Sequence, residues 1–142
     1  MYITGDEIMA KKLLIVLLFI LSISVVSATY TDPFKGNDLT VDGFKEQCVD
    51  VSFKDLKTDN SLINQSVKLT GKVYMANDKL MLFHMDGDKD QEVLIYFPYD
   101  KDNSKFKNFE GVDAIVYCRY DGISYDGLFT GGKPELSIVD IE

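Results

Sequence analysis

The sequence predicts an all-β fold: a five-stranded barrel with a short helix before its first strand, behind an apolar N-terminal segment. Three observations lead there. Five short segments after Asn64-Gln65 are rich in β-forming residues, several with apolar and polar residues alternating at the period of a strand. Gly71 interrupts the first of them, as a strongly bent barrel strand requires. A charged stretch, Tyr99 to Glu110, breaks the pattern after the third.

The N-terminus comes first. Lys11 and Lys12 stand before an apolar run, Leu13 to Val26, broken only by Ser22 and Ser24, and Val26-Ser27-Ala28 follows. A basic start, an apolar middle and a small-residue cleavage site are the signature of a secretory signal peptide. As a helix the run spans about 21 Å, short of the roughly 30 Å hydrocarbon core. Residues 1–28 are therefore expected to be a signal peptide or, if Thr29 and Tyr30 reach the far interface, an uncleaved membrane anchor. The domain is expected to be secreted or membrane-anchored, facing the extracytoplasmic side in both cases. Asp6 and Glu7 do not suit a basic start, so Met9 competes with Met1 as the first residue.

Residues 29–44, with Pro33, Gly36, Asn37 and Asp38, read as a flexible tether. Residues 45–142 are expected to form the domain. Ser52 can cap a short helix from Phe53 to about Asn60, with Asp55 in its first turn. The first strand alternates Val67, Leu69, Val73 and Met75 with Lys68, Thr70, Lys72 and Tyr74. Leu80 to Met85 is the second strand, and Glu92 to Phe97 the third, stopped by Pro98. Val112 to Tyr120 is the fourth, rich in β-branched and aromatic residues. Asp121-Gly122 and Asp126-Gly127 signal turns, residues 130–134 a flexible loop, and Glu135 to Ile141 the fifth strand. The expected core is Leu69, Val73, Leu82, Val93, Ile95, Ile115, Val116 and Ile138. This layout fits the five-stranded OB barrel, although a small meander or half-open barrel gives much the same pattern.

Charge and cysteine count narrow the partners. Of 142 residues the net charge is −8, and all of it belongs to residues 29–142, because Lys11 and Lys12 offset Asp6 and Glu7. An acidic surface repels phosphate backbones and anionic lipid. Nucleic acid is thus a disfavoured partner, and membrane contact is expected only through the N-terminal segment. Cys48 and Cys118 read most simply as one disulfide in an oxidising compartment, with two buried free thiols as the alternative.

Cys48-Val-Asp-Val-Ser-Phe-Lys-Asp-Leu, then Val67-Lys-Leu-Thr-Gly-Lys-Val, resembles the opening of small exported OB-fold modules in bacterial and archaeal envelope proteins, of the tRNA-anticodon-binding-like type. Cys118-Arg-Tyr-Asp-Gly, Gly131-Gly132-Lys133 and the last alternating strand extend the likeness, which covers roughly residues 45 to 142. It departs where those modules carry Arg-Asn-Pro before the first strand and this chain has Lys57-Thr-Asp-Asn-Ser. The resemblance implies the fold, no settled activity, and a Cys48–Cys118 pair pinning the leader to the fourth strand.

The residues of catalysis are sparse. His84 is the sole histidine, and on its strand it shares a face with Leu80 and Leu82, which suits a partly buried structural role. No nucleophile elbow is present, and one histidine with two cysteines does not make a zinc site. No enzyme activity, cofactor or resident metal is expected. Asp86, Asp88 and Asp90 form a weak calcium candidate of hard oxygen ligands at alternate positions. However, Gln91 and Phe97 stand where an EF-hand needs Gly and Glu, so a solvated hairpin turn is the preferred reading.

The aromatic set is the better lead. Phe83, Tyr96, Tyr99, Tyr117, Tyr120, Tyr125 and Phe129 lie on strands two to four and in the loop before strand five. OB domains bind ligands on the face of strands two and three and with flanking loops. Tyr96, Tyr120 and Tyr125 are expected to stay exposed, with Phe129 and Lys133 contributed by the last loop. The expected function is a non-catalytic extracytoplasmic binding module for an envelope ligand or protein. The alternatives are a structural envelope domain acting through protein contacts, and single-stranded nucleic-acid binding by analogy of fold.

Overall fold

The computed structural model describes residues 32–34, 39–124 and 132–142. The first element in it is a helix, α1 (Val41–Gln47), within and beyond the stretch expected to be a tether. Thr40 caps it, accepting a hydrogen bond from the Gly43 amide at 3.1 Å, and Asp42 sits favourably in the first turn. Seven residues are too few for a helix to hold alone. The anchor is Phe44, which is 1% exposed and meets the Phe34 ring edge-on at 5.6 Å. The folded domain thus begins several residues before position 45.

A two-residue strand, β1 (Val49–Asp50), leads to α2 (Phe53–Thr58), the helix the sequence predicts. Its capping box is complete: the Asp55 amide donates to Ser52 Oγ and the Ser52 amide to the Asp55 carboxylate. A 3₁₀ turn (Asn60–Leu62) and Asn64, in the left-handed region at φ 68°, turn the chain into β2 (Ser66–Ala76). The remaining elements are β3 (Leu80–Met85), β4 (Glu92–Tyr96), the single helical turn α3 (Ser104–Lys107), β5 (Asp113–Ser124) and β6 (Lys133–Ile141).

The barrel closes in the order β2-β3-β4-β6-β5 and back to β2, with β1 added to β2 in parallel. Every pairing in the ring is antiparallel except β4 with β6. This is the five-stranded OB arrangement. β2 makes it possible by serving two neighbours: Ser66 to Lys72 pair with β5, and Gly71 to Ala76 pair with β3. Gly71 belongs to both ladders. A β-carbon there would lie 2.1 Å from the His84 carbonyl oxygen, so only glycine lets β3 approach at the bend.

The interior holds Leu69, Val73, Met81, Phe83, Val93, Ile95, Val116, Leu136 and Ile138, all at most 1% exposed. Two expected core residues are displaced by one position. Leu82 and Ile115 are half-buried on the outside, while Met81 and Phe83, and Ala114 and Val116, point in. Leu80 to Met85 is apolar at every position but one, so its pattern does not fix which face is inward. Asp121-Gly122, expected as a turn, lies inside β5, where the register shifts against β6 and Gly122 takes φ 109°. The signal was real but marks a bulge.

The cysteines also differ from expectation: both are free thiols. Strand alternation turns Cys118 into the core, fully buried. Cys48, the C-cap of α1, is half-buried with Sγ 3.4 Å from the Phe44 carbonyl oxygen, and it meets the backbone of Cys118 while the two sulfurs stay unbonded. Burial pushes the Cys48 thiol up to about 11 and Cys118 well above its ordinary value. Unreduced protein is therefore expected to label slowly at Cys48 at pH 8, at Cys118 only after unfolding, and at both in denaturant. Mass spectrometry after iodoacetamide treatment checks this, and no labelling in denaturant would restore the bridge.

Candidate functional site

The outer face of β2, β3, β4 and β6 is built from three cross-strand rows. Lys72, His84 and Glu92 form one, Leu82, Leu94 and Glu135 the next, and Leu80, Tyr96 and Ser137 the third. Each row follows from the strand period: Val73, Met81, Phe83, Val93 and Ile95 point inward, so their neighbours point out. Leu80, Leu82 and Leu94 are half-buried, giving the face an apolar centre.

Tyr74 heads this face. The β2–β3 register shifts between Val73 and Met75, and Tyr74 is the bulged residue. Its ring stacks on the His84 imidazole, centroids 4.8 Å apart and planes at 16°, yet Tyr74 remains 59% exposed. One side of the ring is thus supported and the residue is presented to solvent. His84 Nε2 lies 2.8 Å from Glu92 Oε2, and Lys133 Nζ pairs with the other Glu92 oxygen. Burial alone would raise the Glu92 carboxyl, but the bonds from Lys133 and His84 hold it below its ordinary value. At the far end Tyr96 donates from its hydroxyl to Glu135 at 3.2 Å. The face therefore combines two aromatic residues, an aliphatic centre, the paired His84, Glu92 and Lys133, and the exposed Lys72.

Of the site residues expected from sequence, Tyr96 and Lys133 lie on this face. Tyr120 does not. It is 1% exposed, inside the barrel wall, and its hydroxyl donates to the Leu56 carbonyl at 2.5 Å, tying α2 to β5. Alternation with Val116 and Cys118 explains its direction. Tyr125 and Phe129 lie outside the described residues. Tyr74 was missed as a site residue, although its place in the polar phase of the first strand already turned it outward.

The weak calcium candidate does not assemble. Asp86 (φ 55°) and Gly87 (φ 73°) make the turn, and Asp88 spends a carboxylate oxygen on the Asp90 amide at 2.9 Å. Among the described residues no three carboxylate, histidine or cysteine groups come together to hold a metal. A separate open groove of about 500 Å³ runs past Gly71, Asp86, Gly87, Asp113, Ala114 and Glu142. It carries carboxylates without an aromatic ring, unlike the β3–β4 face.

Two further clusters brace the barrel. Lys45 on α1 bonds Asp140 at 3.2 Å and Glu142 at 2.8 Å and lies 4.6 Å from the Tyr117 ring centre, while Lys105 on α3 pairs with Asp140. Arg119 bonds Asp121 at 3.1 Å, and Ser137 donates to the other Asp121 oxygen at 2.5 Å. Burial raises Asp140, but its bonds to Lys105, Ile141 and Lys45 bring it below its ordinary value; Lys45 lowers Glu142. Burial raises Asp121 against the pull of Ser137 and Arg119.

The sign of the acid response follows. Glu92, Asp140 and Glu142 have depressed folded values, so their contribution is present above the unfolded value of about 4 and is lost as pH falls through the lower folded ones. Asp121 opposes them, since it takes up its proton more readily folded than unfolded. Asp55, Asp78 and Asp102 are also held below their ordinary values by hydrogen bonds, from Ser52, Lys107 and Ser104, so six carboxylates stand against one and the melting temperature is expected to fall between pH 6 and pH 3. Thermal scans check this, and Asp121→Asn is expected to steepen the fall by removing the opposing group.

No protein-family model and no curated protein matches the chain. Among solved structures it is similar to one described as an aspartyl-tRNA synthetase from Leishmania major Friedlin, with 15% identity and a TM-score of 0.45. The match covers 83% of this chain and 22% of that one, so the chain spans about a fifth of its length. Among the described residues no helix is long and apolar enough to cross a membrane; Leu13 to Val26 lies outside them.

Proposed function

We propose that this chain is a non-catalytic extracytoplasmic binding module that holds an uncharged, extended ligand, a glycan strand of the cell envelope, on the outer face of β3 and β4. One observation carries the reading: Tyr74, braced from behind by His84, heads a face with an aliphatic centre on which Glu92 is paired with His84 and Lys133. Stacking on a supported ring favours a flat or ring-shaped ligand group, and the aliphatic centre favours one without charge. His84 is engaged by Glu92 and covered by Tyr74, which supports binding over catalysis. The net charge of −8 works against a polyanion. The apolar run before the domain supports export, and finding the protein accessible to a membrane-impermeant label on intact cells tests that part.

The exposed trio Tyr74, Met75 and Val112 supports a second reading, a structural domain acting through protein contacts. Calorimetric titration separates the two. Neutral N-acetylhexosamine oligosaccharides are expected to bind, and Tyr74→Ala to weaken them about tenfold, since an aromatic contact contributes about 1 kcal/mol beyond its buried area. Saccharide binding that ignores Tyr74→Ala overturns the assignment of the face. Retention of a single-stranded oligonucleotide at low salt overturns the ligand class.

A further inference from the structure

Asn64, Gln65 and Ser66 spell the Asn-x-Ser acceptor motif of N-glycosylation, with a residue other than proline in the middle. The structure places Asn64 where such a modification fits. It is exposed, on the tight turn that delivers the chain into β2, and its φ of 68° is one that asparagine tolerates. The bonds that fix this turn are all from backbone groups. The Asn64 amide donates to the Tyr120 carbonyl at 2.7 Å, the Tyr120 amide to the Gln65 carbonyl at 3.0 Å, and the Gln65 amide to the Leu62 carbonyl at 2.9 Å. Among the described residues no bond that shapes the turn uses the Asn64 carboxamide, so substituting its nitrogen costs the fold nothing.

We infer that Asn64 is an N-glycosylation site, an inference that rests on the extracytoplasmic reading above. In the transfer, the bond between the anomeric carbon of a lipid-phosphate-linked oligosaccharide and its phosphate oxygen breaks. A bond from that carbon to Asn64 Nδ2 forms, the amide nitrogen gives up one proton, and the lipid phosphate leaves. Ser66 becomes the first residue of β2 and pairs with Arg119, far along the chain. The motif is therefore open to a transferase before the barrel closes. The glycan would stand at the start of β2, where Ser66 opposes Arg119, which in turn opposes Ser137 on β6.

The test is peptide mapping by mass spectrometry of the protein recovered from its own cells, alongside Asn64→Gln and Ser66→Ala. The wild-type peptide with Asn64 is expected to carry hexose or N-acetylhexosamine increments, and both variants to lose them, Ser66→Ala keeping the melting temperature of enzymatically deglycosylated wild type and Asn64→Gln melting slightly lower because glutamine is less at ease at a φ of 68°. Surface-exposed protein with Asn64 wholly unmodified overturns the inference and leaves export standing. Protein confined to the cytoplasm with Asn64 unmodified overturns both. A glycan that survives Asn64→Gln lies elsewhere and also overturns it.

Discussion

Gly71→Ala is expected to destabilise the domain by about 3 to 5 kcal/mol, at the upper end of what a single added methyl does. The new β-carbon would meet the His84 carbonyl oxygen at 2.1 Å, the His84 carbonyl carbon at 2.9 Å and the Met85 Cα at 2.9 Å. All three are backbone atoms of the paired strand, so no side chain can rotate aside. Relief requires β3 to move off β2. Gly71 also opposes Ala114 on β5, so that movement strains both ladders of β2 at the residue they share. Gly87→Ala provides the contrast. Nothing lies within 4 Å of that β-carbon, and its cost is the left-handed backbone alone, about 1 to 2 kcal/mol. Urea unfolding of the two variants measures the difference, and equal midpoints would show that Gly71 is not the corner of the barrel.

Phe44→Ala is expected to cost about 3 to 4 kcal/mol, the usual loss for a fully buried phenylalanine. The size matters because α1 lies in a stretch whose composition reads as a tether. If the helix merely decorated the barrel, truncating Phe44 would cost under 1 kcal/mol, and a chain beginning at residue 45 would melt with one beginning at residue 39. Both changes are instead expected to lower the melting temperature. Loss of Phe44 frees the Phe34 contact and loosens α1, from which Lys45 reaches Asp140 and Glu142.

What the sequence made legible was local chemistry. The Ser52 cap with Asp55 in the first turn and the glycine in the first strand depend on a few adjacent residues, and they stand where expected. The misreadings share a different cause. Val41 to Gln47 holds a glycine and a single strong apolar anchor, so its helix exists only because Phe44 finds a tertiary pocket. Leu82 and Ile115 sit in runs apolar at neighbouring positions, where periodicity cannot choose a face. Tyr120 obeys the alternation of its strand and goes inward; its hydroxyl, a reason to expect exposure, is satisfied by the Leu56 carbonyl. The candidate site was half legible. Tyr96 and Tyr74 are turned outward by phase alone, but the His84–Glu92–Lys133 cluster depends on the β3–β4 register and the β4–β6 pairing, which join residues distant in the chain.

The face headed by Tyr74 and closed by Tyr96 is proposed to hold an uncharged, extended ligand. Two-dimensional amide NMR during titration with neutral N-acetylhexosamine oligosaccharides tests it most directly. Shifts are expected to be confined to Tyr74, Met75, His84, Leu94, Tyr96 and their strand neighbours, with saturation and with loss in Tyr74→Ala. Shifts centred instead on Asp86, Asp113 and Glu142, or no shift at millimolar saccharide, would contradict it.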